Sequence, residues 1–190
     1  TLTAVYTVTP TSMNGCAGAL FTITVQVDPM PTSTDVTMAA ICSGDLLAYN
    51  PGDILSWTAS YGPNLSGGAL SGSGAITQNI SNSGAAQELA VFTIVSVTGS
   101  GCTAAPYTLT VPIEPRPAAN SNTLVPVCSN TTINVDPQAN IINGVTATFT
   151  WTAVYPAGIS GGMGAGNGNI VETLINSTAA TQTVTYTVVP

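Results

Sequence analysis

Cationic chemistry is almost missing from this sequence. Its 190 residues include no Lys, no His and one Arg, Arg116, against eight carboxylates, for a formal net charge of -7. Without His or Lys there is no side chain to act as an ordinary general base near neutral pH. Nor is there a Schiff-base amine or an imidazole for a metal. An enzyme is therefore not expected, nor a metal site, and no cofactor is implied. With no basic patch, nucleic acid has no electrostatic footing, and an anionic membrane surface would repel the chain. Long apolar runs are missing as well: Thr, Ser and Gly interrupt every hydrophobic stretch, so no membrane insertion is expected. The absence of Lys excludes Lys-Asn isopeptide cross-links within the chain. Trypsin is left with one site, Arg116, which Pro117 blocks.

What is present is a core-forming, strand-forming composition. The apolar fraction is 44%, carried by Val, Ile, Tyr and Ala interleaved with Thr, which is enough to fill a core. Phe21, Ile23, Val25 and Val27 alternate with Thr22, Thr24 and Gln26, the period of a half-buried strand. Leu55, Trp57 and Ala59 alternate in the same way, as do Phe149, Trp151 and Ala153. No stretch of ten residues carries a helical period. The fold class read from this pattern is all-β, with tandem β-sandwich modules.

The chain also repeats itself. Phe21-Thr22-Ile23-Thr24-Val25 through Pro29-Met30-Pro31 returns 86 residues later as Tyr107-Thr108-Leu109-Thr110-Val111 through Pro115-Arg116-Pro117. The same offset carries Tyr6 to Phe92, Cys16 to Cys102 and Cys42 to Cys128. Trp57-Thr58-Ala59 returns after 94 residues as Trp151-Thr152-Ala153, so an insertion of about eight residues lies between Cys128 and Trp151. A period this long is a whole small domain in tandem. Residues 1–31 read as the last strands of one module, 32–117 as a complete module, and 118–190 as a module without its last strand. Thr1 to Pro10 aligns with Thr181 to Pro190. The chain therefore reads either as a window on a longer tandem protein, the preferred view, or as a subunit whose residues 1–31 complete a neighbour by strand addition. It begins abruptly in a strand pattern with no signal peptide, as expected of a mature or partial chain. The double prolines Pro29/Pro31 and Pro115/Pro117 favour short, stiff links. Pro112, inside a strand pattern, is expected at an edge or a bulge.

Four repeat-locked cysteines point to disulfides in an oxidising compartment. Cys42 with Cys102 is the favoured pair, leaving Cys16 and Cys128 for cysteines outside the chain; Cys16-Cys42 with Cys102-Cys128 is the other possibility. Trp57, Trp151, Tyr6, Phe92 and Tyr186 are the core candidates, the tryptophans being read as sandwich core rather than sugar-stacking platforms. Tyr61 and Tyr155, which align, are the aromatics to inspect for carbohydrate binding. Asp28 and Glu114 share one repeat position before the closing prolines, but one carboxylate is too few for calcium. Asn64, Asn79, Asn130 and Asn176 open glycosylation-type sequons, and sugar could solubilise a surface so poor in charge.

The motifs Ile41-Cys42-Ser43-Gly44, Ser56-Trp57-Thr58, Val5-Tyr6-Thr7-Val8-Thr9-Pro10, Asn14-Gly15-Cys16 and Phe21-Thr22-Ile23-Thr24-Val25 occur with a closing Pro29-Met30-Pro31. Together they resemble the PKD-like repeats of giant cell-surface proteins in the Bacteroidota, gliding-motility adhesins among them. The likeness spans essentially the whole chain. It departs from the PKD pattern in having no Gly-Asp-Gly after the Trp strand, and in Val127-Cys128-Ser129-Asn130, where Asn replaces Gly. The resemblance implies immunoglobulin-like sandwiches, type IX export, and a structural or adhesive role in an extracellular, cell-surface fibre or stalk. Its partners would be neighbouring copies of the module and glycans. The alternative is a carbohydrate-binding accessory module of a secreted polysaccharide-active enzyme.

Overall fold

A computed structural model describes residues 1–190, which are almost wholly β. The first element is an isolated antiparallel hairpin, β1 (Leu2–Val8) and β2 (Phe21–Val27), paired from Leu2↔Val27 to Val8↔Phe21. Its tip is a tight turn in which Ser12 N–H donates to Cys16 O and Gly15 N–H to Ser12 O, both at 2.9 Å. Gly15 takes φ +83° there, a left-handed conformation that glycine adopts without strain.

A complete sandwich follows. Its strands are β3 (Val36–Thr37), β4 (Ile41–Cys42), β5 (Leu46–Tyr49), β6 (Ile54–Tyr61), β7 (Leu65–Ser66) and β8 (Ser71–Gly72), then β9 (Ile76–Asn79), β10 (Ser81–Asn82), β11 (Glu88–Ser96) and β12 (Tyr107–Glu114). One sheet runs β3-β12-β11-β6-β8, with β4 also on β12, and the facing layer is made from β5-β9 and β7-β10. Alternation puts Ala90, Phe92 and Ile94 of β11, and Tyr107, Leu109, Val111 and Ile113 of β12, on the inner face. There they meet Leu47, Leu65, Ile76 and Ile80 of the facing layer in one buried cluster with Trp57. Trp57 and Phe92 meet edge to face, with ring centroids 5.6 Å apart. Gly72 lies flat under the Trp57 ring, where a Cβ would collide, and Gly166 does the same under Trp151.

The strand carrying Pro112 is neither an edge nor bulged. β12 lies between β11 and the short parallel strands β3 and β4. Pro112 is tolerated because it sits opposite the break between them, after Thr110↔Thr37 and before Ile113↔Ile41.

The last part repeats the layers with β13 (Thr131–Val135), β14 (Thr150–Val154), β15 (Ile159–Ser160), β16 (Ala165–Asn167), β17 (Ile170–Asn176) and β18 (Thr185–Val189), in sheets β13-β17-β15 and β16-β14-β18. The inserted residues after β13 open with a short 3-10 turn, Pro137–Asn140, capped by Asp136. They fasten the preceding link: Ala118 N–H donates to Asn143 Oδ1, Asn143 Nδ2 to Arg116 O, and Asn120 N–H to Asn140 O, at 2.8 to 3.0 Å. Arg116 in turn pairs with Asp45 at 2.7 Å.

Two expectations are corrected. Cys42 and Cys102 do not bond, and all four thiols are free. Cys42 pairs beside Glu114 at one end of β12, while Cys102 sits in the turn before its other end. The length of β12 between them is about 24 Å at ~3.4 Å per residue, far beyond the ~7 Å Cα limit of a disulfide. Reductant should therefore leave the melting temperature of this chain unchanged; a fall on adding dithiothreitol would restore the internal bridge. Tyr6 is not core: it is 59% exposed, because nothing covers the face of β1–β2 to which it belongs.

Candidate functional site: two unpartnered sheet surfaces

The hairpin β1–β2 and the hairpin β11–β12 are the same object in two environments. Register is identical, with Leu2↔Val27 matching Glu88↔Ile113 and Val8↔Phe21 matching Ile94↔Tyr107. In β12, Leu109, Val111 and Ile113 are fully buried and Tyr107 is nearly so. Their counterparts in β2 are bare: Phe21, Ile23, Val25 and Val27 are 42 to 55% exposed. A soluble monomer rarely leaves a contiguous apolar face of this kind uncovered.

The second surface is the complement of the first. β18 stands where β11 stands, bonded to β14 as β11 is to β6, and Trp151 meets Tyr186 edge to face at 5.8 Å. Its other edge is free. Residues 122–128, counterparts of the segment that pairs with β12, form no strand, and Leu124, Val125 and Val127 are exposed. Without a strand between these two edges the core stays half open. Ile133, Val184, Tyr186 and Val188 are half-buried, whereas Leu47, Ala90, Phe92 and Ile94 at the same repeat positions are sealed.

One hydrogen bond marks the gap. Asn82 N–H donates to Ser43 Oγ, and its side-chain Nδ2 bonds Ala86 O and Ile113 O of β12, each at 2.9 Å. Asn176 copies this posture, with N–H to Ser129 Oγ at 2.9 Å and Nδ2 to Ala180 O at 2.8 Å. The third bond, to a strand carbonyl, has no counterpart there.

Sequence reasoning missed a buried carboxylate. Glu172 is 4% exposed and accepts from Tyr155 Oη at 2.8 Å, Met163 N–H at 2.8 Å and Tyr186 Oη at 2.5 Å. Burial pushes its pKa up, but the bonds from Tyr186, Met163 and Tyr155 outweigh that and hold the carboxyl below its ordinary range. Burial and the facing carboxylate push the Tyr186 phenol up. The central sandwich has Gln78 and Phe92 at these positions, so the acid and its extra phenol arrive together. All its close partners are donors, which makes this a satisfied structural network without a free lone pair turned to a substrate.

The remaining candidates are placed as follows. Trp57 and Trp151 are buried. Tyr61 and Tyr155 are half-buried, with hydroxyls donating to Ala69 O and Glu172 and rings packed on Gly68 and Gly162, so neither offers a flat exposed ring. Asp35 accepts from Thr108 N–H, whose bond holds its carboxyl below the usual range. Glu88 binds Asn64, Glu114 binds Gln87, and Asp28 accepts from Thr1. No three His, Cys, Asp or Glu residues gather. Among the sequon asparagines, Asn64, Asn79 and Asn176 commit their amides to Glu88, Gly44 O and Ala180 O. Asn130 sits in a turn at φ +65°.

Together these features define an immunoglobulin-like β-sandwich module of a type that is generally non-catalytic and typically extracellular. The PKD-like domain family model matches residues 1–31, 39–117 and 125–190, and the chain belongs to that family. No curated protein matches it. No helix is long and apolar enough to cross a membrane.

Proposed function

We propose that the chain is a structural element of an extracellular fibre or adhesin stalk, built from modules divided at 1–31, 32–117 and 118–190. The observation that carries this reading is the one hairpin seen twice, closed inside a sandwich and bare outside one. Modules that expose matching halves of a core are parts of a linear array, and a spacer needs the stiffness of stapled links more than it needs a pocket. Cys42 and Cys102, at opposite ends of one sandwich, suit bridges between successive modules in an oxidising environment. The resemblance to surface adhesins of the Bacteroidota supports the same setting. A carbohydrate-binding accessory role asks for an exposed aromatic platform among the Gly-rich loops, and Tyr61 and Tyr155 provide none.

The test is electron microscopy of the native material, followed by its intact mass under denaturing, non-reducing conditions. Filaments are expected, together with either a mass far above 19.0 kDa or a mass near it from particles that were filaments beforehand. Monodisperse globular particles of about that mass would overturn the reading.

A further inference from the structure

We infer that copies of this chain join head to tail by strand donation, with β2 of one copy filling the gap between β18 and residues 122–128 of the next. This rests on the fibre reading and says how its units connect. Donor and acceptor are both present in one chain. β2 has the inward pattern Phe21, Ile23, Val25, Val27 where β12 has Tyr107, Leu109, Val111, Ile113. The acceptor has a free antiparallel edge in β18, and in residues 122–128 the counterpart of the segment that runs parallel to β12. On insertion, Phe21 to Val27 would close over Trp151, Ile170 and Tyr186, and the Val27 carbonyl would meet Asn176 Nδ2 as Ile113 O meets Asn82.

The strand must first leave β1, which holds it only in a two-stranded, solvent-exposed ribbon, an arrangement of marginal stability. β1 and β18 are the same repeat strand, so donation exchanges one antiparallel partner for its equivalent. It gains a second, parallel partner and a core. The surface available is sufficient. The chain exposes 11628 Å², about 1,500 Å² more than two compact domains sharing its 19.0 kDa would show on the usual mass scaling. A stable interface buries about 1,600 Å². With almost no charge on either surface, burial carries little desolvation cost.

The experiment is sedimentation and light scattering of the full 190-residue chain over a wide concentration range. Growing oligomers are expected for the wild type. Ile23→Asp should weaken association by roughly a hundredfold or more, because a carboxylate would enter the core. That variant keeps a folded acceptor, so a synthetic peptide spanning residues 19–28 should still bind it, and should cap the oligomers of the wild type. Gln26→Pro, which gives β2 the residue that β12 already carries at Pro112, should associate like the wild type.

A wild type that stays monomeric, an Ile23→Asp chain that associates normally, or a peptide that binds neither protein overturns strand donation. A native denatured mass far above 19.0 kDa would show the gap filled by the same polypeptide continuing; donation between copies would then fall while the fibre reading stands. Monomers here, together with globular native particles, would remove both.

Discussion

Truncating Phe92 to Ala is expected to cost the central sandwich about 4 kcal/mol, while Tyr6→Ala at the same repeat position costs less than about 0.5 kcal/mol in the monomeric chain. Phe92 is fully buried and lies edge to face with both Trp57, at 5.6 Å, and Tyr61, at 6.1 Å. Neither ring can swing in to fill the hole: Trp57 is pinned over Gly72, and Tyr61 over Gly68 with its hydroxyl bonded to Ala69 O. The cavity therefore stays open, which puts the loss toward the upper part of the range for aromatic truncation. A domain of this size has only about 5 to 15 kcal/mol of stability in all, so the variant should melt far below the wild type. Tyr6 is 59% exposed and loses little packing. Urea titration followed by the fluorescence of Trp57, in a Trp151→Phe background, reads the first cost. A Phe92→Ala loss under about 1 kcal/mol would mean that this core is not packed as described. In oligomers the Tyr6 result bears on donation as well: if β1 is the strand that leaves, Tyr6→Ala should not weaken assembly.

Period-two alternation made β2, β6, β11 and β12 legible, since a strand with one wet face must place its apolar residues at every second position. The 86-residue repeat likewise showed that the Tyr107 to Glu114 strand and the Phe21 to Val27 strand are equivalent. Repetition fixes equivalence but not surroundings, which is why Tyr6 was expected in a core. A residue is buried only if its facing layer is present, and no facing layer covers β1–β2. Cys42 and Cys102 were mispaired for a related reason. Membership of one repeat says nothing about which end of a strand a residue occupies, and β12 runs between the two. Glu172 read as an ordinary surface acid because a carboxylate is rarely buried without partners. Its signal was the joint change from Gln78 and Phe92 to Glu172 and Tyr186, where a new acceptor is matched by a new donor.

Replacing Glu172 by Leu is expected to destabilise the last sandwich by about 3 kcal/mol, since it strands the Tyr155 and Tyr186 hydroxyls and the Met163 N–H in a half-closed core. Glu172→Gln should cost only about 1 kcal/mol at neutral pH, because an amide oxygen still accepts and Tyr186 can accept from the amide nitrogen. Adding Tyr186→Phe to it recreates the Gln78–Phe92 pair of the central sandwich and should recover part of that loss. Acid separates the two residues. The folded carboxyl is held below its ordinary value of 4.5, so its ionised form contributes stability that is complete above that value. This contribution is lost as pH falls through the depressed folded value. Glu172→Gln has no such group, so the gap between wild type and variant should narrow on acidification and close below the folded pKa, in urea midpoints read from Trp151 in a Trp57→Phe background. Parallel loss of stability in both proteins below pH 4.5 would mean that the phenols and the Met163 amide do not hold Glu172 ionised.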